Sequence, residues 1–318
     1  VCLAESSLLN MFGLNGSRTI PSEDFYGEYH GHQVSHLSTL FNALHDSRRV
    51  IWFAGDSSLD NKYWLPERVE PTNGYERVLR PAISRPDVCY HLNTLVDRST
   101  VAINTAVEAS LLRQRSESKL LPQDEFLRDH IKKEDVLVVS VGGNDIALLP
   151  SSSTAENLPL AMGELNSSDC DTLSKGPGMS YFIELCGEQV KLYVEQLVSN
   201  HKPALVIVCM IYYPDETATG SWADAVLEKM GYDIDPKKVQ AFISQLFEHA
   251  TSKISIPGTK VVPLPLFEVL DGRTSSQYVE RVEPSNEGGR LMANQIWESV
   301  KLHAAPTLSF PNTSNVDL

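Results

Sequence analysis

Positive charge is scarce in this 318-residue chain. It has 27 Lys and Arg against 41 Asp and Glu, a formal net charge of −14. A nucleic-acid backbone or an anionic membrane needs a basic face on its partner, so both are disfavoured. Cysteine is scarce too. Cys2, Cys89, Cys170, Cys186 and Cys209 are odd in number and form no CxxC, which excludes the usual zinc patterns and a dense disulfide framework. Cys209 sits inside an apolar run and reads as a core thiol. Cys170 and Cys186 could pair across a loop, but reduced thiols are expected. No apolar run approaches a membrane span, and no basic segment followed by an apolar one opens the chain, so no signal peptide is expected. The expected compartment is cytoplasmic; the sequons at Asn15, Asn166 and Asn312 keep a secretory route open. Histidine is missing from one particular place, the stretch between His249 and His303.

Apolar residues are plentiful, at 42% of the chain, enough for a sizeable core. They gather in strand-like runs at Val50–Ala54, Val101–Ile103, Val136–Val141, Ala204–Tyr212 and Lys260–Leu264. These runs lack polar alternation, as strands buried on both faces do. Helical periodicity lies between them. Phe182, Cys186, Val190, Tyr193 and Leu197 recur at steps of three and four, as do Val239, Phe242, Leu246 and Ala250 behind Asp235-Pro236. Strands alternating with amphipathic helices predict βαβ units around a parallel sheet. Residues 1–33 are polar and rich in turn formers, ahead of a helix predicted over Val34–His45. Residues 150–178 and 214–235 read as long loops of the kind that form binding walls or plain surface.

The run Phe53-Ala54-Gly55-Asp56-Ser57-Ser58-Leu59-Asp60-Asn61 ends the first of these strands. Ligands of open α/β sheets bind at the carboxyl ends of strands, so Ser57 is a candidate nucleophile. A Gly-Asp-Ser triplet alone is more often an ordinary turn. The third strand ends in Ser140-Val141-Gly142-Gly143-Asn144-Asp145, where an Asn amide can donate to an oxyanion or simply cap a helix. The second runs into Asn104-Thr105-Ala106-Val107-Glu108-Ala109-Ser110. A hydroxyl, a backbone turn and an amide thus reach one rim, which is what acyl transfer requires. Asp60 and Asn61 are expected to brace the turn, and Asp145 to hold the Asn144 loop.

From about Val50 to Lys301 these blocks resemble the SGNH, or GDSL-type, hydrolases. The similarity is greatest to a bacterial branch carrying Gly-Asp-Ser-x-x-Asp-Asn, Ser-Val-Gly-Gly-Asn-Asp and a late Ile-Glu-Pro-Ser-x-x-Gly-Gly, here Val282-Glu283-Pro284-Ser285-Asn286-Glu287-Gly288-Gly289. The resemblance implies an α/β fold, a flavodoxin-like three-layer α/β/α sandwich with about five parallel strands. It implies Ser57 as nucleophile, with oxyanion donors at the Ser57 N–H, the Ala109 N–H and the Asn144 side chain. Most members have Gly where Ala109 stands. They also carry Asp-x-x-His before the last helix, and those positions here are Glu280 and Glu283. The Ser-His-Asp arrangement therefore does not carry over. An ordinary Glu, with a pKa near 4.3, is a poor base for a hydroxyl unless desolvation raises it. Glu283 also reads as a helix-dipole partner.

His30, His32 and His36 offer a second source of base if the N-terminal segment folds over Ser57; His32 and His36, four apart, also suit a metal, though no metal site is expected. Trp64, Tyr212, Tyr213 and Trp222 read either as the wall of an apolar acyl pocket or as packing. Expected substrate contacts are Asp56, Gly143, Tyr212 and Tyr213. The domain expectation is an N-terminal extension (1–48), an SGNH-like domain (49–303) and a C-terminal tail (304–318). The leading function is a serine-dependent ester hydrolase or acyl transferase acting on a small-molecule ester, with no cofactor, nucleic acid or membrane span. Two alternatives stay open at this point: a non-catalytic ligand-binding protein, and a lyase or isomerase using Glu283 as acid or base.

Overall fold

Five strands run parallel and side by side: β1 (Arg49–Gly55), β2 (Thr100–Asn104), β3 (Val136–Ser140), β4 (Leu205–Met210) and β5 (Lys260–Pro265). Their spatial order is β2-β1-β3-β4-β5, the doubly wound order in which the chain reverses direction between β1 and β3. The structure, a computed structural model, describes residues 19–116, 119–165 and 176–304. Cys2, Cys170, the three sequons and all of the tail beyond residue 304 lie outside the described residues.

Alternation along the strands sends side chains to two cores. Trp52, Ala54, Leu137, Val139, Val206 and Val208 face one layer of helices, which includes Val34–Leu44, Pro122–His130, Val190–Leu197 and Pro236–His249. Ile51, Phe53, Val136, Val138, Leu205 and Ile207 face the other, with Val88–Leu95 and the long last helix Asn286–His303. This is the three-layer α/β/α sandwich expected from the sequence. The sheet's amino edge is pinned by buried Asp135, which accepts from Val50 N (2.9 Å) and Trp52 Nε1 (3.0 Å). Ahead of β1, Ile20–Pro21 pairs in parallel with Leu79–Arg80, and Phe25 is buried in the core.

Three expectations change. Residues 214–235, read as a loop, hold the six-residue helix Asp224–Lys229. The stretch read as loop over 150–178 contains a 13-residue helix, Ser152–Glu164. Its start is fixed by Ser151, whose side chain accepts from Thr154 N; weak apolar periodicity and an internal Pro159 hid it. The helix expected across Phe182–Leu197 is interrupted by a π turn at Leu185–Gln189. Cys89, Cys186 and Cys209 are free and buried, and burial pushes the Cys209 thiol up.

Candidate active site

Register brings the carboxyl ends of three strands together. Phe53 lies opposite Asn104, and Gly55 opposite Ser140. Gly55 is required here. Its φ is +134°, and a Cβ would sit 1.7 Å from the Ser140 carbonyl oxygen, so no side chain fits. The chain then turns sharply. Asp56 N–H donates to Ser140 O (3.0 Å), and Asp56 Oδ1 accepts from Ser58 Oγ (2.8 Å) and Ser58 N (3.2 Å). Asp56 is thus a brace of the turn as well as part of the cavity floor. Burial pushes its carboxyl up to about 6. The turn holds Ser57 with its side chain at the rim and its N–H unbonded among the described residues.

The second-strand loop closes over Gly55. Val107 N–H and Ser110 Oγ both reach the Gly55 carbonyl, at 3.0 and 3.3 Å. Ala109 takes φ +58°, the left-handed region that glycine favours, and its N–H makes no hydrogen bond among the described residues. Asn144 follows a left-handed Gly142 (φ +107°) in the short helix Gly143–Ile146. One amide hydrogen of Asn144 goes to Ser110 O (3.0 Å), which ties the two loops together and leaves the second hydrogen available. Asp145 holds the assembly as expected, accepting from Leu112 N (2.6 Å) and Arg113 N (3.1 Å).

Glu283 arrives from the far side, on a short strand, Glu283–Pro284, paired with Tyr278–Val279. Asn61 locks it in place. Asn61 Nδ2 donates to the Pro284 carbonyl (2.8 Å), and its Oδ1 accepts from Val88 N (3.2 Å). The Glu283 carboxyl is buried, faces the Ser57 hydroxyl, and leaves Oε2 without a partner. Desolvation raises it well above the usual carboxylate range; Asp56, Asp60 and Glu280 push the same way, while the Ser57 hydroxyl favours the ionised form. Glu280 does not take the orienting role its position suggested. Backbone φ values of 51° and 65° at Glu280 and Arg281 swing its carboxyl to the Trp222 N–H (3.1 Å), and its charge acts on Glu283 only as a like charge.

Glu108, which sequence reasoning passed over, completes the site. It is buried with Oε2 unpartnered, and its carboxyl is raised by desolvation first and by Glu283 and Asp60 next. Glu108 N–H donates to Asp60 Oδ2 (2.9 Å), and Asp60 in turn accepts from the fully buried Lys62 ammonium (2.6 Å). The signal was its place beside Ala109; what sequence cannot show is that its carboxyl turns inward. The Glu283 charge raises Glu108 further, as a like charge does in a dry site, so Glu108 is the carboxyl that keeps its proton.

Beyond Ser57, Asn144 and Glu283 opens a cavity of about 100 Å³, also lined by Asp56, Gly143 and Tyr212. Its remaining wall is apolar, from Met210 and Ile211 to Trp222, Leu227 and Phe242. Tyr212 turns its hydroxyl away to Val282 O (2.6 Å). Tyr213 is a correction: its ring stacks on Phe267 at 5.0 Å, its hydroxyl pairs with Ser244 Oγ, and it does not line the cavity. Alternation along the extended backbone sends it to the opposite side from Tyr212. Trp64 sits by Glu108 instead. The histidines are not at the nucleophile either. His32 is buried, stacked on Phe25 at 3.8 Å and bonded to its carbonyl, and burial holds it neutral. His36 faces Asp24 and Glu28. His30 Nδ1 lies 3.3 Å from the Glu108 carbonyl. No group of side chains suited to a metal occurs among the described residues.

No protein-family model matches this chain, and no curated relative matches it. It is similar to solved structures at low identity. A carbohydrate acetylesterase from Sinorhizobium meliloti is 13% identical, with a TM-score of 0.43 over 80% of this chain and 99% of that one. The aryl esterase of M. smegmatis is 15% identical, with a TM-score of 0.42 over 80% and 99%. A family 3 carbohydrate esterase from Clostridium thermocellum is 15% identical, with a TM-score of 0.38 over 81% and 100%. These likenesses are distant, and the function of the site has to be argued from its own geometry.

Proposed function

We propose that the protein is a serine-dependent ester hydrolase or acyl transferase in which a buried glutamate replaces histidine as the base. The observation that carries this reading is the Glu283 carboxyl, buried and aimed at the Ser57 hydroxyl. Ser57 Oγ attacks the ester carbonyl while its proton passes to the ionised Glu283. The oxyanion is met by the N–H groups of Ser57 and Ala109 and by the free amide hydrogen of Asn144, three preformed donors in a largely dry site. Glu283 then gives the proton to the departing alkoxide, leaving an ester on Ser57. Water, or an acceptor alcohol, attacks that ester and loses its proton to Glu283, and the proton returns to Ser57 Oγ as the acyl group leaves.

The raised Glu283 pKa answers the objection that a carboxylate is too weak a base. A base works best when its pKa approaches the working pH, and desolvation moves Glu283 in that direction. Glu108 supports it as a positioning residue: raised further than Glu283, its carboxyl stays neutral and leaves Glu283 as the member of the pair that ionises as pH rises. Turnover of a short-chain aryl ester, compared between the wild type and Ser57→Ala, tests the proposal. A loss of at least a hundredfold is expected, and equal rates would overturn it.

A further inference from the structure

The cavity beside Ser57 is polar at one end only. Ser57, Asn144 and Glu283 occupy that end; elsewhere the wall is drawn from the end of β4, the helix Asp224–Lys229 and the helix Pro236–His249. Ile146, Ala147, Trp222, Val226 and Met230 belong both to this cavity and to a wider groove. There Leu158 and Met162 of the Ser152–Glu164 helix continue the apolar surface. The apolar path therefore does not end in a blind wall close to the nucleophile.

The wall is also fixed in place. Arg281, fully buried, donates to Asp224 Oδ1 (2.9 Å), Asp233 Oδ1 (2.8 Å) and the Asp215 carbonyl (3.0 Å), so the stretch 214–235 is clamped onto the segment that bears Glu283. A leaving oxygen must face Glu283 to receive its proton. On that side stand Tyr29, close to both Glu108 and Glu283, and the exposed Tyr63 whose ring it meets at 4.7 Å. With the carbonyl oxygen held by the donors and the leaving group turned that way, the remaining substituent of the carbonyl points into the apolar cavity.

Resting on the proposed ester chemistry, we infer that the substrate is an ester of a medium-length, unbranched fatty acyl chain, housed in this cavity and emerging into the groove. An acetyl group would leave most of this apolar wall uncovered. The chain-length profile of p-nitrophenyl esters, from acetate to octanoate, reads this directly. Each added methylene should raise kcat/KM about threefold, the worth of burying one CH₂, giving a rise of more than tenfold from butyrate to octanoate. Val226→Trp, at the half-buried junction of cavity and groove, should lower the octanoate-to-acetate ratio at least fivefold. A profile that peaks at acetate and falls thereafter overturns the inference while leaving Ser57 chemistry intact. Binding of the neutral amides octanamide and acetamide to Ser57→Ala, followed by calorimetry, reads the cavity without catalysis. Octanamide should bind at least tenfold more tightly, and equal binding overturns the inference even if no ester is turned over.

Discussion

In the proposed mechanism the chemistry at Ser57 depends on where one proton resides. Glu283 is pushed up by burial and by its acidic neighbours, so on the acid side it is protonated and cannot accept from Ser57. The rate should therefore rise with pH through an apparent pKa well above 4.3, and that limb should vanish in Glu283→Gln. The same substitution should cost 10²–10⁴ in kcat. Glu108→Gln, which replaces a neutral carboxyl by a neutral amide, should leave the limb close to its wild-type position, with a smaller loss of rate. Asn144→Ala should lower kcat by roughly 10²–10³, the usual worth of one oxyanion donor. At Ala109 the left-handed backbone predicts that Ala109→Gly keeps both fold and activity, because glycine meets no Cβ penalty there. Steady-state kinetics on one aryl ester checks all four variants.

At the scale of elements, the site is a junction of four segments, and two long-range ties bring the Glu283 segment to it. Asn61 joins the Ser57 turn to Pro284, and Arg281 joins the cavity wall to the Glu283 strand. Arg281→Met would strand Asp224 and Asp233 and leave the Asp215 carbonyl unmet. Since Arg281 is fully buried while its carboxylates are partly exposed and can be solvated, the loss of stability should come chiefly from the unmet Asp215 carbonyl and the altered packing. It should appear in thermal unfolding together with a raised KM. The strands were plain in the sequence, because unbroken Val and Ile runs admit little else, and they set Ser57, Ala109 and Asn144 at one rim. The ties were not. Arg281 sits in a segment with no periodicity, and Asn61 reads like any turn residue until Pro284 is found 223 positions later, at 2.8 Å. Glu108 was equally silent, since burial of a carboxylate is decided by what folds over it. Tyr212 and Tyr213 looked equivalent in sequence; one peptide's rotation sends them to opposite sides.

The whole molecule carries a surplus of acid, with several carboxyls buried. Folded-state values above the unfolded ones mean that the native state binds more protons, so stability is present in full below the unfolded pKa and is lost as pH rises through the folded one. Asp56 is raised to about 6 and Asp87 to about 7, and Glu283 and Glu108 are raised as well. Thermal stability should therefore fall by several degrees between pH 5 and pH 8, helped by the net charge of −14. A melting temperature that rises over that range would contradict this. Glu283→Gln should melt higher than the wild type at pH 8 while being nearly inactive, a combination that a merely structural glutamate would not produce. The most direct measurement of the central claim is the rate at which an organophosphonate labels the protein, with the adduct located by mass spectrometry, in the wild type and in Glu283→Gln. The account predicts a single adduct on Ser57, formed at least a hundredfold more slowly in the variant. No adduct on Ser57, or equal rates in the two proteins, would contradict it.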